Sequence, residues 1–243
     1  MSALLSVKSA TKQYGGLMAN QDISFEVEEG SIVGIVGPNG AGKTTLFNSI
    51  SCTHQLTSGQ IVFDGRDVSK SKPYQVCKWG MGRTYQIPQS MDEMTVLENV
   101  LVGALCKRSR VSEAIEYAHE MTKFCELSDY ANVLASALNV MQKKRLEIAR
   151  ALAGDPKLLL LDETMAGLNG IERQQAIDLI HKINEKGITI LLIEHVMEVV
   201  MRVSQKVVVI VSGKKLMEGT PQEVTSNQEV INAYLGGGHN AGC

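Results

Sequence analysis

One glycine-rich stretch of the chain has the residue types and spacing needed to bind phosphate groups. Residues 37–44 read GPNGAGKT and fit the pattern G-x-x-x-x-G-K-[ST]. The glycines let the backbone wrap closely around phosphate oxygens and point successive N–H groups inward. The helix predicted to follow adds the positive end of its dipole. The stretch therefore predicts a site for the phosphates of a nucleotide.

The end of this stretch predicts how the phosphates and a metal ion are held. Lys43 would neutralise the outer phosphates, and Thr44 would supply a hydroxyl to Mg²⁺. The residues predicted to contact the nucleotide are Gly37, Pro38, Asn39, Gly40, Ala41, Gly42, Lys43, Thr44 and Thr45. A chance match is the alternative, but the apolar run IVGIV before the loop and TTLFNSIS after it supply the strand and helix that the chemistry requires.

Two adjacent acids form a second candidate group, in the stretch LLLLDETMAGLN. A buried strand would deliver Asp162 and Glu163 at its carboxyl end. Because side chains alternate along a strand, Asp162 can hold the Mg²⁺ shell while Glu163 faces the attacking water, which it would either deprotonate as a base or orient. The alternative is a pair of solvated acids that simply ends a strand.

Three further residues are weaker candidates when taken singly. Gln86 in GRTYQIPQ and His195 in LLIEHVM would complete a set of γ-phosphate sensors, and Tyr14 could stack on an adenine face. A surface glutamine, a core histidine and a strand aromatic are the respective alternatives.

The elements that must position these residues follow an α/β order. LLSVKSATKQY, QDISFEVEEG and SIVGIV predict strands, and Asp64 with Gly65 predicts a hairpin turn inside GQIVFDGRDV. The stretch from Met91 to Ala153 has helical periodicity and is predicted to be a helical insertion. After it, PKLLLLDE, ITILLIEH and KVVVIVSG predict buried strands, and IERQQAIDLIHKINEKG, ending at Gly187, and MEVVMRVS predict helices. Such alternation indicates a parallel sheet covered on both faces.

Composition excludes several classes of protein. The 243 residues are 44% hydrophobic and 21% charged with a net charge of -2, which is typical of a globular protein and does not favour a nucleic-acid partner. Five scattered cysteines predict reduced thiols rather than a disulfide framework or a zinc site: Cys52, Cys77, Cys106, Cys125 and Cys243. The start of the chain does not predict a secretory signal, and its apolar runs are far shorter than the roughly 18 residues that span a bilayer.

Taken together, these motifs resemble the ATPase subunit of an ATP-binding cassette (ABC) transporter. Tyr14, Gln86, Asp162 with Glu163, the MAGLN stretch and His195 occur in the family's order, and the resemblance covers nearly all residues up to Gly236. It implies an α/β P-loop NTPase (RecA-like) core with an N-terminal antiparallel β subdomain and a helical insertion. One domain over residues 1–236 is expected, with core and β subdomain at about 1–88 and 155–236, helical subdomain at about 89–154, and a flexible tail at 237–243.

The resemblance is strongest to the first ATP-binding protein of bacterial branched-chain or hydrophobic amino-acid importers. It implies ATP hydrolysis that powers import, with Glu163, His195 and Gln86 catalytic and with Thr44, Gln86 and Asp162 around Mg²⁺. Membrane-spanning permease subunits are expected to dock on residues 86–98 through Ile87, Met91, Met94 and Val96. An external solute-binding protein would act indirectly, and the subunit would lie peripherally at the cytoplasmic face of the inner membrane. The transported solute stays open.

One departure from the family pattern concerns the turn that opens the helix RLEIARAL. Where the family carries L-S-G-G-Q and donates it to the ATP of a partner subunit, this chain has Asn139, Val140, Met141 and Gln142 after Leu138. Asn139 can still cap the helix, but it is a longer phosphate donor than serine, and Met141 would crowd the phosphate. Losing one transition-state donor costs about 3 kcal/mol, or roughly 100- to 1000-fold in rate. This chain has all the residues expected to hydrolyse its own ATP, but the turn that it would donate to a partner's ATP is altered. This combination favours a heterodimer with a second ABC ATPase over a homodimer.

Two other classes of function compete with the importer ATPase. The altered turn also suits a regulatory module that binds nucleotide with little turnover, although a pure binder needs neither Glu163 nor His195. An ATPase acting on DNA or ribosomes would need a basic face or long inserted arms, and neither is evident in the sequence.

Overall fold

The computed structural model describes residues 3–236, and the chain forms two compact units. The first unit combines Met1–Pro73 with Ile183–Cys243, and the second is Tyr74–Lys182. The helical insertion predicted at 89–154 lies within the second unit. The predicted flexible tail, residues 237–243 with Cys243, lies outside the described residues.

The described residues alternate strands and helices along much of their length. The strands are β1 (Ala3–Tyr14), β2 (Leu17–Glu28), β3 (Ile32–Val36), β4 (Ser58–Phe63), β5 (Arg66–Asp67), β6 (Met81–Arg83), β7 (Leu158–Asp162), β8 (Thr189–Ile193), β9 (Lys206–Val211) and β10 (Lys214–Gly219). The helices are α1 (Lys43–Ile50), α2 (Pro73–Trp79), α3 (Val96–Ala104), α4 (Val111–Phe124), α5 (Val140–Ala153), α6 (Gly170–Glu185), α7 (Met197–Val203), α8 (Pro221–Ser226) and α9 (Gln228–Gly236).

An antiparallel sheet in the first unit has the strand order β2-β1-β4-β5. Along β2, the buried residues Ile23, Phe25 and Val27 alternate with more exposed positions, so one face of the strand packs into the core. Asp64 and Gly65 have φ values of 50° and 73° and join β4 to β5. Two successive residues with positive φ make the tight turn that matches the twist of a hairpin. The predicted hairpin is therefore confirmed.

The strand that leads into the glycine-rich loop is buried along its whole length. Every residue of β3 is buried, and β8 and β9 flank it in parallel, with Ile32 opposite Ile190 and Val33 opposite Lys206. β10 returns antiparallel to β9. A central strand of a parallel arrangement is covered on both faces, which explains its continuous apolar sequence. The predicted parallel strands are confirmed, and β3 ends at Val36, directly before the loop.

The second unit pairs the strand that carries the two acids with a short neighbour. β6 and β7 are parallel, with Met81 opposite Leu158, and β7 is buried up to Asp162. Helices α3, α4 and α5 pack against one another. A Cβ added at Gly103 of α3 would lie 2.1 Å from the Arg150 carbonyl oxygen of α5, so these helices can approach this closely only because residue 103 is glycine.

Several boundaries differ from the sequence predictions, and some short elements were not predicted. Helix α6 ends at Glu185, shortly before Gly187, whose φ is 85°. The brief α2 and β6 and the C-terminal α8 and α9 were missed, because a few residues carry too little periodicity. Within residues 3–236, no helix combines the length and apolar character that crossing a bilayer requires.

Candidate functional site

The glycine-rich loop, residues 37–44, connects β3 to α1 in a backbone conformation that excludes side chains at two points. A Cβ at Gly37 would lie 2.0 Å from the Ile210 carbonyl oxygen, and a Cβ at Gly42 would lie 2.3 Å from that of Ala19. Gly42 caps α1 with a φ of 97°. Close packing and left-handed backbone therefore both require glycine here.

The side chain of Lys43 is held inside the loop by backbone oxygens. Its Nζ donates to the carbonyl oxygens of Gly37 at 2.8 Å and Pro38 at 3.0 Å, and only 6% of the residue is exposed. Thr44 is exposed in the first turn of α1, and that turn, all of it among the described residues, contains no acidic side chain. A buried ammonium group beside a helix N-terminus gives the loop a positive field, which favours anions.

Two neighbouring segments of the first unit support the loop from behind. The Asn20 side chain, almost fully buried, donates its Nδ2 to the Gly42 carbonyl oxygen at 3.0 Å. The backbone N–H of Gly213 donates to the Ala41 carbonyl oxygen at 3.0 Å. Neither contact could be predicted from the sequence, since both residues lie far from the loop along the chain.

Tyr14 lies at the end of β1 with its ring partly exposed and its orientation fixed by two neighbours. The phenol oxygen hydrogen-bonds His54 Nδ1 at 2.7 Å, and the two rings meet edge to face with centroids 5.9 Å apart. Lys12 Nζ lies 4.7 Å from the Tyr14 ring centroid and donates to the Gln55 carbonyl oxygen. The ring is thus held in place while it remains able to stack on a flat ligand.

His195, the other predicted residue of the first unit, follows β8 with one residue, Glu194, between them. Its side chain is exposed, and the chain continues through Val196, the N-cap of α7. The buried strand therefore fixes the backbone of His195 and leaves its ring at the surface of this unit.

In the second unit, Asp162 ends β7 as a buried carboxylate. Its Oδ2 lies 3.1 Å from Arg83 Nη2, and the two side chains are only 4% and 8% exposed. The Asp162 backbone N–H donates to Thr84 Oγ1 at 3.3 Å. Both partners belong to the stretch at and just after β6, so the short strand missed by sequence reasoning fixes the acid in place.

Glu163 and Gln86 come together in the second unit. Gln86 Nε2 donates to Glu163 Oε2 at 2.7 Å. Glu163 adopts a φ of 48°, a left-handed conformation that is costly for a residue with a Cβ. Such outliers persist where the surroundings fix them, and they concentrate at functional sites. The turn separates the direction of the Glu163 side chain from that of the buried Asp162.

The turn 139–142 is a complete capping box at the start of α5. Asn139 Oδ1 accepts the backbone N–H of Gln142 at 2.9 Å, and Gln142 Oε1 accepts the backbone N–H of Asn139 at 2.9 Å. The predicted capping by Asn139 is confirmed, and Gln142 adds the reciprocal bond. Val140, between them, is exposed.

Met141 is half-buried and lines a small, mainly apolar cavity within the second unit, together with Ile148, Met165, Leu168 and Leu179. Its thioether side chain thus packs partly into its own unit. The crowding of a partner's phosphate by Met141 stays a prediction.

The segment 86–98, expected to meet permease subunits, contains one strongly exposed apolar residue. Ile87 is 73% exposed, whereas Met91 and Met94 are half-buried. Val96 is fully buried at the start of α3, so its expected place on a docking surface is wrong. It lies on the buried face of α3, which it shares with Asn99, Val100, Gly103 and Ala104 at helical spacing.

The described residues also bear on metal and thiol chemistry. Within residues 3–236, no group of three or more His, Cys, Asp or Glu side chains is arranged to hold a metal ion. The described cysteines are free thiols: Cys52, Cys77, Cys106 and Cys125. Burial raises the pKa of Cys52 to about 11 and that of Cys125 to about 12, which suppresses their thiolate forms.

Comparison with known proteins gives the same description from both ends of the chain. Residues 20–166 match the family described as ABC transporter. Residues 214–240 match the family described as branched-chain amino acid ATP-binding cassette transporter.

Individual relatives cover almost the whole chain. The high-affinity branched-chain amino acid transport ATP-binding protein BraF of Pseudomonas aeruginosa is 39% identical over 249 aligned residues, which cover 96% of this chain and 98% of BraF. The ADP conformation of MJ1267, an ATP-binding cassette of an ABC transporter, is 30% identical with a TM-score of 0.88, covering 97% of this chain and 100% of that one. The dimeric structure of MJ0796, a bacterial ABC transporter cassette, is 28% identical with a TM-score of 0.82, covering 89% and 98% respectively.

Proposed function

Because the chain belongs to the ABC transporter family and has the ABC ATPase fold, we propose that it hydrolyses Mg·ATP to power import of branched-chain amino acids. The observation that carries this proposal is the glycine-rich loop with Lys43 buried inside it. The substrate class rests on BraF and on the C-terminal family match.

Nucleotide binding follows from the loop and from Tyr14. The backbone N–H groups of the glycine-rich loop, except at Pro38, and of the first turn of α1 surround the phosphates. The Lys43 ammonium exchanges its carbonyl partners for phosphate oxygens. The Tyr14 ring stacks on the adenine, with His54 holding the phenol.

The residues proposed for Mg²⁺ fit it chemically, since all three supply oxygen. Thr44 offers a hydroxyl, Gln86 an amide oxygen and Asp162 a carboxylate, the donors that Mg²⁺ prefers. When bound there, Mg²⁺ would supply positive charge that stabilises the negative charge developing on the phosphate during transfer. Arg83 fixes the Asp162 carboxylate from one side and so limits its rotation.

Hydrolysis is assigned to Glu163, with Gln86 as its orienting partner. The carboxylate accepts the proton of the attacking water, and the Gln86 amide keeps the acid aligned through the 2.7 Å hydrogen bond. His195 senses the γ-phosphate from its exposed position after β8. We assign these roles because the residues occupy the motif positions that have the same roles in the family.

The donated turn suggests an asymmetric dimer with a second ABC ATPase. The Asn139 Oδ1 is used by the capping box, which leaves the amide nitrogen as its donor toward a partner's nucleotide. Because this chain also has all the residues proposed for hydrolysis of its own ATP, we expect a heterodimer with one strong and one weak ATP-hydrolysing site. MJ0796, which forms a dimer, supports pairing of this kind of cassette.

The remaining partners are a permease and, outside the membrane, a solute-binding protein. The exposed Ile87 within 86–98 offers the permease an apolar contact, and Met91 and Met94 add half-buried surface. The subunit would then lie peripherally at the cytoplasmic face of the membrane. The capped, altered turn also supports the second candidate, a regulatory module with little turnover.

The deciding experiment replaces Glu163 by Gln in the assembled transporter. We expect ATP binding to persist while turnover falls at least about 100-fold, because the water loses its base. The matched control is Glu185→Gln at the exposed end of α6, which should leave turnover unchanged. Unchanged hydrolysis in Glu163→Gln, with wild-type turnover already low, would favour the regulatory module instead.

A further inference from the structure

Glu147 of α5 is a buried acid with no role in the site described so far. It is 3% exposed, and its carboxylate accepts two backbone N–H groups, from Tyr85 to Oε2 at 3.2 Å and from Gln89 to Oε1 at 2.7 Å. These two N–H groups lie on either side of Gln86, in a stretch without helix or strand structure. The carboxylate therefore supplies the partners that a sheet or helix would otherwise provide.

Arg150, one turn further along α5, binds the same stretch as a hydrogen-bond donor, whereas Glu147 binds it as an acceptor. Its Nη1 donates to the Gln89 carbonyl oxygen at 2.8 Å, and its Nη2 lies 3.4 Å from Glu147 Oε1. Both backbone groups of Gln89 are thus bound by one face of the helix. Two charged side chains that also contact each other form a more rigid clamp than either side chain alone.

Burying the Glu147 carboxylate costs desolvation free energy, which an apolar core residue would not incur. Burial raises the pKa of Glu147, and the N–H groups of Gln89 and Tyr85 act against that rise. An apolar side chain would avoid the desolvation cost but would leave the backbone N–H groups of Tyr85 and Gln89 without these acceptors. The acid is therefore suited to fixing the backbone around Gln86.

The same helix also contacts the chain on the far side of Glu163. The side chain of Lys144, buried and one turn before Glu147, donates to the Ala166 carbonyl oxygen in the loop that follows Glu163. α5 consequently holds both segments whose side chains meet in the Gln86–Glu163 hydrogen bond. The first turn of this helix is the capped turn at Asn139.

We propose that Glu147 is a positioning residue for hydrolysis. It fixes the backbone around Gln86 so that the Gln86 side chain hydrogen-bonds Glu163, and it couples both residues to the orientation of α5. This proposal rests on the proposed function of Gln86 and Glu163. A tilt of α5, whose start is the turn offered to the partner subunit, would move the Gln86 backbone relative to the acid. Glu147 would then link the state of the donated turn to this chain's own hydrolytic pair.

The test compares Glu147→Ala and Glu147→Gln with wild type in the assembled transporter, measuring kcat, KM and ATP binding separately. We expect kcat to fall about 100-fold in Glu147→Ala, because a shift of about 1 Å in a positioned group has that effect. Glu147→Gln keeps one acceptor and should lose less. ATP affinity should stay within about twofold, since the phosphate loop is untouched. Glu116→Gln, on the exposed face of α4, is the matched control.

A double variant distinguishes positioning from general damage. In a Gln86→Ala background, Glu147→Gln should cause no further fall in kcat, because the residue acts through Gln86. Multiplicative effects, a change confined to KM, or wild-type kcat in both Glu147 variants would overturn the proposal. If Glu147→Ala does not fold, Glu147→Gln alone decides. Failure of the proposed function is separate: it would appear as full activity in Gln86→Ala or Glu163→Gln.

Discussion

Replacing Arg83 by Leu should destabilise the second unit, because it removes one half of a buried ion pair. The pair joins Arg83 Nη2 to Asp162 Oδ2 at 3.1 Å with side chains 8% and 4% exposed. Removing one partner from a buried pair costs about 3–5 kcal/mol, since the remaining charge stays desolvated. Thr84 still accepts the Asp162 backbone N–H, which keeps the strand end in place. We therefore expect the lower end, about 3 kcal/mol.

Urea unfolding at pH 7, followed through the whole transition, measures this loss. Arg83→Lys keeps the charge but not the planar fork, so its loss should be smaller than that of Arg83→Leu. A cycle with Asp162→Asn should give a coupling of at least about 1.5 kcal/mol, because the neutral amide tolerates the missing guanidinium. Additivity within about 0.5 kcal/mol, or a loss under about 1 kcal/mol in Arg83→Leu, would refute this reasoning.

Three further predictions concern the loop, the donated turn and the helical segment. Gly42→Ala should abolish binding of a fluorescent ATP analogue, because its Cβ would lie 2.3 Å from the Ala19 carbonyl oxygen. Asn139→Ala should lower the unfolding free energy by about 1 kcal/mol through loss of the cap, measured by urea titration. For Glu98, bonds from Thr95 hold the pKa below its usual range, so its stabilisation is present above the unfolded pKa and lost as pH falls through the folded one. The stability difference between wild type and Glu98→Ala should therefore shrink below about pH 4.5, as measured by unfolding from pH 7 to pH 3.

The first two of these predictions have a matched control variant, and the third is decided by its dependence on pH. Gly16→Ala, where a Cβ would meet nothing within 4 Å, should bind the analogue normally, and equal binding in Gly42→Ala would contradict the steric argument. Asn139→Ser keeps a capping oxygen and should be nearly neutral, so a loss equal to that of Asn139→Ala would exclude capping as the cause. A Glu98→Ala difference that does not change with pH would show that the carboxylate charge plays no part.

The local features of this protein could be predicted from sequence because short-range chemistry determines them. GPNGAGKT between an apolar strand and a helix has few other uses, and Asp64 with Gly65 marks a turn that needs two positive φ values. The capping ability of Asn139 also follows from its side chain alone. In each case the residues that decide the structure are neighbours in the chain.

Contacts between distant segments could not be predicted. Arg83 and Asp162 are 79 positions apart, and Glu147 and Gln89 are 58 apart, so only the packing of the elements brings them together. Val96 shows a related limit: helical periodicity predicted α3, but not which of its apolar side chains would face the core. Periodicity identifies a face, whereas the neighbour that covers it depends on the whole fold.

The two carbonyl oxygens that bind the Lys43 ammonium affect how fast a nucleotide can be captured. A solvent-exposed lysine would have to lose its hydration and its rotamer freedom when it binds phosphate. Here the ordering has already occurred during folding, and an incoming triphosphate only replaces one set of oxygens with another. Recognition should then resemble a ligand exchange on a rigid receptor, with little reorganisation of the loop accompanying each turnover.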